Sequence, residues 1–116
     1  MPKAALNNFN RSAALELIRQ GIRVNSVSPR FVNTGFGASM GIPEESWNKV
    51  MDFMSSRKEC IPYGAVAQPD QIAQVIAFLA DRTMSSYIIG QSIVVDGGSS
   101  LVMGMGGYDL QELMGL

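Results

Sequence analysis

Few side chains in this 116-residue chain can do chemistry. Histidine is absent, so imidazole acid–base catalysis and histidine-ligated metal sites are excluded. Cys60 is the single cysteine and cannot form an internal disulfide, which fits a reducing compartment. With no base to activate it, Cys60 reads as a small packing residue. Lys3 opens a helical pattern, where a lysine on its own is a solvated surface group. Pro29 and Thr34 bracket a short segment that, in isolation, reads as strand-end and loop chemistry. Gly104-Met105-Gly106-Gly107 has the outline of a phosphate-binding turn. Asp109 stands where a third glycine belongs and no helix of suitable length comes after it, so the stretch reads as tail.

These residues depend on the elements that carry them. Residues 3–20 have helical spacing, with Leu6, Phe9, Ala13 and Leu17 on one face and Gly21 as the stop. Small residues at Ala4, Ala5, Ala13 and Ala14 would admit a second helix at close range. Ile22 to Val27 alternates as a strand that Ser28-Pro29 ends. Residues 30–42 read as loop. A helix begins near Pro43, with Glu44 and Glu45 at its positive end and Trp47, Val50, Met51 and Met54 on its apolar face. A third helix runs from Pro69-Asp70 to about Asp81 on Ile72, Val75, Ile76 and Leu79. Ser92 to Val95 is a second strand, closed by Asp96-Gly97-Gly98, and residues 99–116 read as a loosely ordered tail.

Two strands joined by a long helical excursion suit a parallel crossover. Ile93-Val94-Val95 is apolar at consecutive positions, as in a strand covered on both faces. Two such strands cannot be covered by the helices available. The fold class expected is therefore α/β, part of a larger parallel sheet and incomplete as a domain.

Bulk properties remove several functions. The chain is 47% hydrophobic and 16% charged, with a formal net charge of -1. That charge density is low for a small globule and suggests that other protein covers part of the surface. The basic residues are scattered, so no nucleic-acid partner is expected. The longest apolar stretches are too short to span a bilayer. No secretory signal is visible, and a soluble, intracellular, most simply cytoplasmic protein is expected.

Three segments together resemble the second half of the short-chain dehydrogenase/reductase family. Lys3-Ala4-Ala5-Leu6, continuing to Arg11-Ser12-Ala13-Ala14-Leu15-Glu16-Leu17, is similar to its active-site helix. Gly21 to Pro29 resembles the next strand and its cofactor-facing end, and Gly90 to Gly98 the last strand and the turn after it. The resemblance covers residues 1–103 and leaves 104–116 as a carboxy-terminal tail. It implies the carboxy-terminal part of a Rossmann-like, doubly wound parallel sheet, here with two strands and about three helices.

The resemblance also implies a chemistry. The family signature is Tyr-x-x-x-Lys, and Lys3 falls at its lysine; the tyrosine would lie four residues earlier, before Met1. Residues so spaced share a helix face, and an ammonium beside a phenol lowers its pKa. The family's catalytic serine and glycine-rich cofactor loop would also lie upstream. Pro29 to Thr34 resembles the family's Pro-Gly-x-x-x-Thr stretch beside the nicotinamide, where backbone groups at Val32 bond the carboxamide and the Thr34 hydroxyl contacts the cofactor. Lys3, Pro29, Val32 and Thr34 are thus the implied cofactor residues, with Lys3 also catalytic and no metal. Arg30 stands where glycine is expected, and either points outward or obstructs the nicotinamide pocket. Residues 35–61 correspond to a substrate lid, whose Trp47, Met51, Phe53 and Met54, with Tyr63 beyond, form either an apolar wall over substrate or simple packing.

The implied activity is part of an NAD- or NADP-dependent oxidoreductase interconverting an alcohol and a carbonyl compound. Because the phenol is missing, the isolated chain is expected to be inactive. Its expected partners are a small alcohol or carbonyl substrate and further copies of itself, as a dimer or tetramer. The alternative is a truncated, non-catalytic product that keeps only its association surfaces.

Overall fold

The structure, a computed structural model, describes residues 3–102 together with Glu112 and Met114. Its elements are α1 (Lys3–Leu17), β1 (Ser26–Pro29), α2 (Phe36–Ser39), α3 (Glu44–Ser56), α4 (Pro69–Ala80) and β2 (Ser92–Val95), with single 3-10 turns at Ile18–Gln20 and Ser99–Leu101. β1 and β2 pair in a two-stranded parallel sheet. The chain divides into two units, Met1–Ser28 with Asp70–Val95 and Pro29–Pro69 with Asp96–Leu116.

In the first unit, α1 and its 3-10 turn together fill the expected 3–20 span. Gly21 ends them at φ 75°, a left-handed conformation that costs glycine little, and its N–H bonds the Ile18 carbonyl at 2.9 Å. The first strand is displaced from the expected 22–27 to Ser26–Pro29. Asn25 is the reason, because its side chain interrupts the ladder. Its Nδ2 donates to the Ile88 carbonyl at 3.0 Å and its Oδ1 accepts from the Gln91 N–H at 2.9 Å. Regular pairing starts one residue later, with the Ser26 N–H donating to the Gln91 carbonyl at 2.9 Å. Pro29 is tolerated as the last strand residue, where a missing N–H breaks nothing.

Of the small residues of α1, Ala14 packs against a loop, while Ala4 and Ala5 are exposed. Ala14 is 1% exposed, and a Cβ added to Gly90 would lie 3.2 Å from its methyl. Asn10, also buried, donates to the Gln91 carbonyl at 3.3 Å. The end of α4 is secured by Ser85, whose hydroxyl reaches the Phe78, Leu79 and Asp81 carbonyls at 2.7, 3.0 and 2.9 Å. Burial of this unit is incomplete: Val94 in β2 remains 55% exposed, so the described residues leave one face of that strand uncovered. The fold is a portion of an α/β domain.

The second unit has its own core of Val50, Met51, Met54, Cys60 and Ile61, with Phe31, Trp47, Phe53, Val66 and Met114 packed against it. The apolar stripe of α3 explains this directly, since Val50, Met51 and Met54 fall on one face and all three are buried. Cys60 is buried and free, and burial pushes its thiol pKa up, which suits a packing residue. α2 falls inside the span expected to be loop. It packs through Gly37, where an added Cβ would sit 2.5 Å from the Trp47 ring, with Phe36 and Trp47 ring centroids 6.1 Å apart.

The segment after β2 is also more ordered than the expected tail. Asp96 accepts from the N–H groups of Gly98 and Ser100, both at 2.9 Å, and caps the 3-10 turn. Gly98 takes φ 89°, and an added Cβ there would meet the Pro62 ring at 3.2 Å. Of the remaining tail only Glu112 and Met114 are among the described residues.

Two outcomes test this packing. Gly37→Ala forces a methyl against an indole with little room to move and is expected to destabilise the chain by about 1–3 kcal/mol, read from the urea midpoint. Hydrogen bonding from Ser100, and less from Gly98, holds the Asp96 carboxyl below its ordinary value despite opposing burial. A pKa lower in the folded than the unfolded state contributes stability in full above about pH 4, lost as pH falls through the folded value. Asp96→Asn is therefore expected to lower the urea midpoint at pH 6 and to shrink its fall between pH 6 and pH 3.

Candidate functional site

Pro29, Val32 and Thr34 come together at one cavity of about 430 Å³ in the second unit. That volume suits a small-molecule site. Lys3 is the first residue of α1, in the other unit. The site segment is shaped by one backbone bridge, parallel, between Val32 and Ala67. Ala67 donates its N–H to the Phe31 carbonyl and accepts from the Asn33 N–H, both at 2.8 Å. In a parallel bridge one residue bonds the two neighbours of its partner, so the partner's own polar groups turn the other way. Val32 is that partner. Among the described residues, nothing engages its N–H or C=O.

Thr34 is exposed, and its Oγ1 accepts from the Phe36 N–H at 3.3 Å, at the start of α2. That bond uses a lone pair and leaves the hydroxyl proton available to donate. Pro29, fixed in φ by its ring, is the last residue of β1 and lines the cavity.

Arg30, Phe31, Phe36, Trp47 and Met51 complete the lining. Phe31 has φ 55°, the left-handed region that non-glycine residues rarely adopt. Such strain costs on the order of 1–3 kcal/mol. It persists because Ala67 holds the Phe31 carbonyl while the Phe31 side chain packs against the α3 core. The glycine-like conformation therefore falls on Phe31, one residue after the position where the family pattern places glycine. Arg30 adopts no positive φ. It is half-buried, lines the cavity, and holds its guanidinium carbon 5.5 Å from the centroid of the Phe31 ring.

The lid residues divide. Trp47 and Met51 line the cavity. Met54 is fully buried in the core, and Phe53 packs against that core under the Arg57 guanidinium, 4.9 Å from its centroid. Tyr63 is 68% exposed and lies outside the lining. The wall residues that sequence reasoning misses are Phe31 and Phe36. Their adjacency to Val32 and Thr34 is the available signal, but the left-handed turn at Phe31 has no sequence marker.

Residues 1–100 match the family described as Enoyl-(Acyl carrier protein) reductase. The chain belongs to the short-chain dehydrogenase/reductase family. It is 39% identical over 100 residues to 2,3-dihydro-2,3-dihydroxybenzoate dehydrogenase of Escherichia coli (strain K12), a match covering 85% of this chain and 40% of that protein. Among solved structures, a short-chain dehydrogenase/reductase of unknown function from Caenorhabditis elegans, with cofactor, superimposes with TM-score 0.85 at 57% identity, covering 92% of this chain and 40% of the other. Glucose dehydrogenase of the same organism in its apo form matches with TM-score 0.66 at 51% identity, over 86% and 36% of the respective chains. The chain thus spans about 40% or less of the length of these relatives. The Rossmann-like α/β fold expected from the sequence is that of these relatives, and NAD(P) use belongs to the family. No described helix is long and apolar enough to cross a membrane, and no cluster of metal-ligating side chains occurs among the described residues.

The left-handed turn yields a comparison that ordinary propensity would reverse. Both Phe31→Ala and Phe31→Gly lose the ring, but only glycine relaxes at positive φ. Phe31→Gly is expected to be the more stable by about 1 kcal/mol, measured as the difference between their urea midpoints.

Proposed function

We propose that this chain forms the nicotinamide-facing portion of an NAD- or NADP-dependent oxidoreductase that interconverts an alcohol and a carbonyl compound. The observation that carries this reading is the backbone of Val32. Its N–H and C=O are left unengaged by the Ala67 bridge, beside a cavity of about 430 Å³. A carboxamide presents the complementary acceptor and donor, so one extended residue can pair with both ends of it. The free proton of Thr34 suits a neighbouring acceptor on the same ligand. These groups fit a nicotinamide, and no charged side chain is needed to hold its amide.

A nicotinamide cofactor, when bound, supplies the hydride exchange that no side chain here can perform. The chain's own part is positional. Val32 fixes the orientation of the amide, Thr34 adds one hydrogen bond, and Pro29 sets where the strand gives way to the cavity. Phe36, Trp47 and Met51 supply an apolar side to the cavity. Lys3 takes its role from the resemblance: its ammonium would bond the cofactor ribose and lower the pKa of a phenol four residues earlier. These 116 residues contain no such phenol, so the isolated chain is expected to bind without turnover.

A second reading, association without catalysis, is favoured by α1. Leu6, Phe9 and Leu15 on that helix are 45%, 64% and 66% exposed, a large apolar display for a solvated helix. Both readings accommodate a homo-oligomer, dimer or tetramer.

Titration with NADH and NADPH, following nicotinamide fluorescence, tests the first reading. Saturable binding of at least one is expected, weakened about tenfold by Thr34→Val through loss of one hydrogen bond. Absence of saturable binding by both would remove the reading. Sedimentation velocity addresses the second: Phe9→Glu is expected to lower the sedimentation coefficient of an associated species while leaving NADH binding intact.

A further inference from the structure

The cavity is chemically lopsided. Three aromatic rings and a thioether, from Phe31, Phe36, Trp47 and Met51, make most of its wall. Arg30 is the one charged residue among its described lining residues, and no carboxylate joins it there. Among the described residues Arg30 forms no ion pair and no side-chain hydrogen bond, and its guanidinium carbon lies over the face of Phe31, 5.5 Å from the ring centroid. That ring is itself packed against the α3 core and fixed by the left-handed backbone at Phe31. A half-buried guanidinium beside an apolar wall keeps solvent-accessible nitrogens, and with no protein partner among the described residues its N–H donors are available to a ligand. A carboxylate supplies two parallel acceptors for that fork.

We propose that Arg30 is a specificity-determining residue that selects a substrate carrying a carboxylate together with an apolar, preferably aromatic, body. The inference rests on the oxidoreductase reading and deepens it, naming the substrate class as oxo acids and hydroxy acids rather than neutral ketones and alcohols. Phe31 is the positioning residue, because its ring holds the guanidinium at the cavity rather than letting a flexible side chain extend into solvent. Phe36 and Trp47 offer flat surfaces to the body of the substrate. The same charge could instead meet a cofactor phosphate, and the carboxylate is favoured because the rest of the wall is apolar, where a compact hydrocarbon body is at home and a phosphate ester is not.

Trp47 is the only tryptophan in the chain and lines this cavity, so its fluorescence reports occupancy. The probes are 3-phenylpropionate and 3-phenylpropionamide, equal in shape and different in charge. The carboxylate is expected to bind saturably and about tenfold or more tighter than the amide, as a charge-assisted pair requires. Arg30→Gln is expected to abolish that preference and Arg30→Lys to restore part of it, which also controls for folding. Equal affinities in the native chain, a preference that survives Arg30→Gln, or no saturable response to 3-phenylpropionate each overturns the proposal. A parallel titration with nicotinamide mononucleotide separates the sources of the anion. If Arg30→Gln weakens the mononucleotide and leaves the carboxylate preference intact, the charge serves the cofactor and the proposal falls. Saturable mononucleotide binding without any carboxylate preference would sink the substrate class while leaving the oxidoreductase reading in place. Carboxylate preference without mononucleotide binding would remove the oxidoreductase reading, and with it the assignment of oxo and hydroxy acids as substrates.

Discussion

The bridge between Val32 and Ala67 governs the candidate site. Two hydrogen bonds of 2.8 Å consume both polar groups of Ala67 and the flanking groups of Phe31 and Asn33. Pairing geometry then forces Val32 to keep its own N–H and C=O free and turned from Ala67. An unpaired backbone amide is expensive when buried and serviceable when it meets a ligand. The same two bonds hold the Phe31 carbonyl in place, which helps a bulky residue remain at φ 55°. One short pairing therefore sets the donor–acceptor pair and the aromatic wall next to it.

Support for that bridge comes from α3. Val50, Met51 and Met54 bury one face of the helix, and Phe31, Trp47 and Val66 lean on the resulting core. Val66 immediately precedes Ala67, and Phe31 immediately precedes Val32, so the residues beside both ends of the bridge are anchored in one cluster. Gly37 lets the Trp47 ring lie against α2 where any side chain would collide with it. The cavity wall is thus continuous with the core, and its shape is set by packing rather than by loop preference.

Much of this is legible in the sequence, and the limits have physical causes. α3, α4 and β2 emerge with nearly the bounds that periodicity predicts; the apolar face of α3 is buried locally, whereas Ile76 of α4 and Val94 of β2 stay exposed among the described residues. Pro29, Val32 and Thr34, grouped by the family resemblance, do line one cavity. The start of β1 departs from the alternation because Asn25 side-chain bonds imitate a backbone ladder, and alternation alone cannot reveal that substitution. α2 escapes sequence reading because four residues contain too little periodicity to register. The 3-10 turn after β2 depends on Asp96 bonding residues two and four positions later, a local cap that a glycine-rich context obscures. Residues 104–116 read as tail, and of these only Glu112 and Met114 are described; Met114 packs against the second unit's core.

Arg30 shows how one substitution can be absorbed and given a consequence. A glycine before the site segment would confer conformational freedom, yet here Arg30 needs none, because the left-handed backbone occurs at Phe31. Arginine is thereby sterically allowed, and the strain moves to a residue whose ring is compensated by packing in the core. The relocation has an electrostatic side effect. Glycine would leave the cavity mouth neutral, whereas the guanidinium places a full charge against an aromatic face that partly compensates its lost hydration. Aromatic compensation is weaker than a bidentate carboxylate, and the proposed preference for an anion rests on that difference. Backbone strain at Phe31 and the placement of the Arg30 charge over its ring are consequently two results of the same local arrangement.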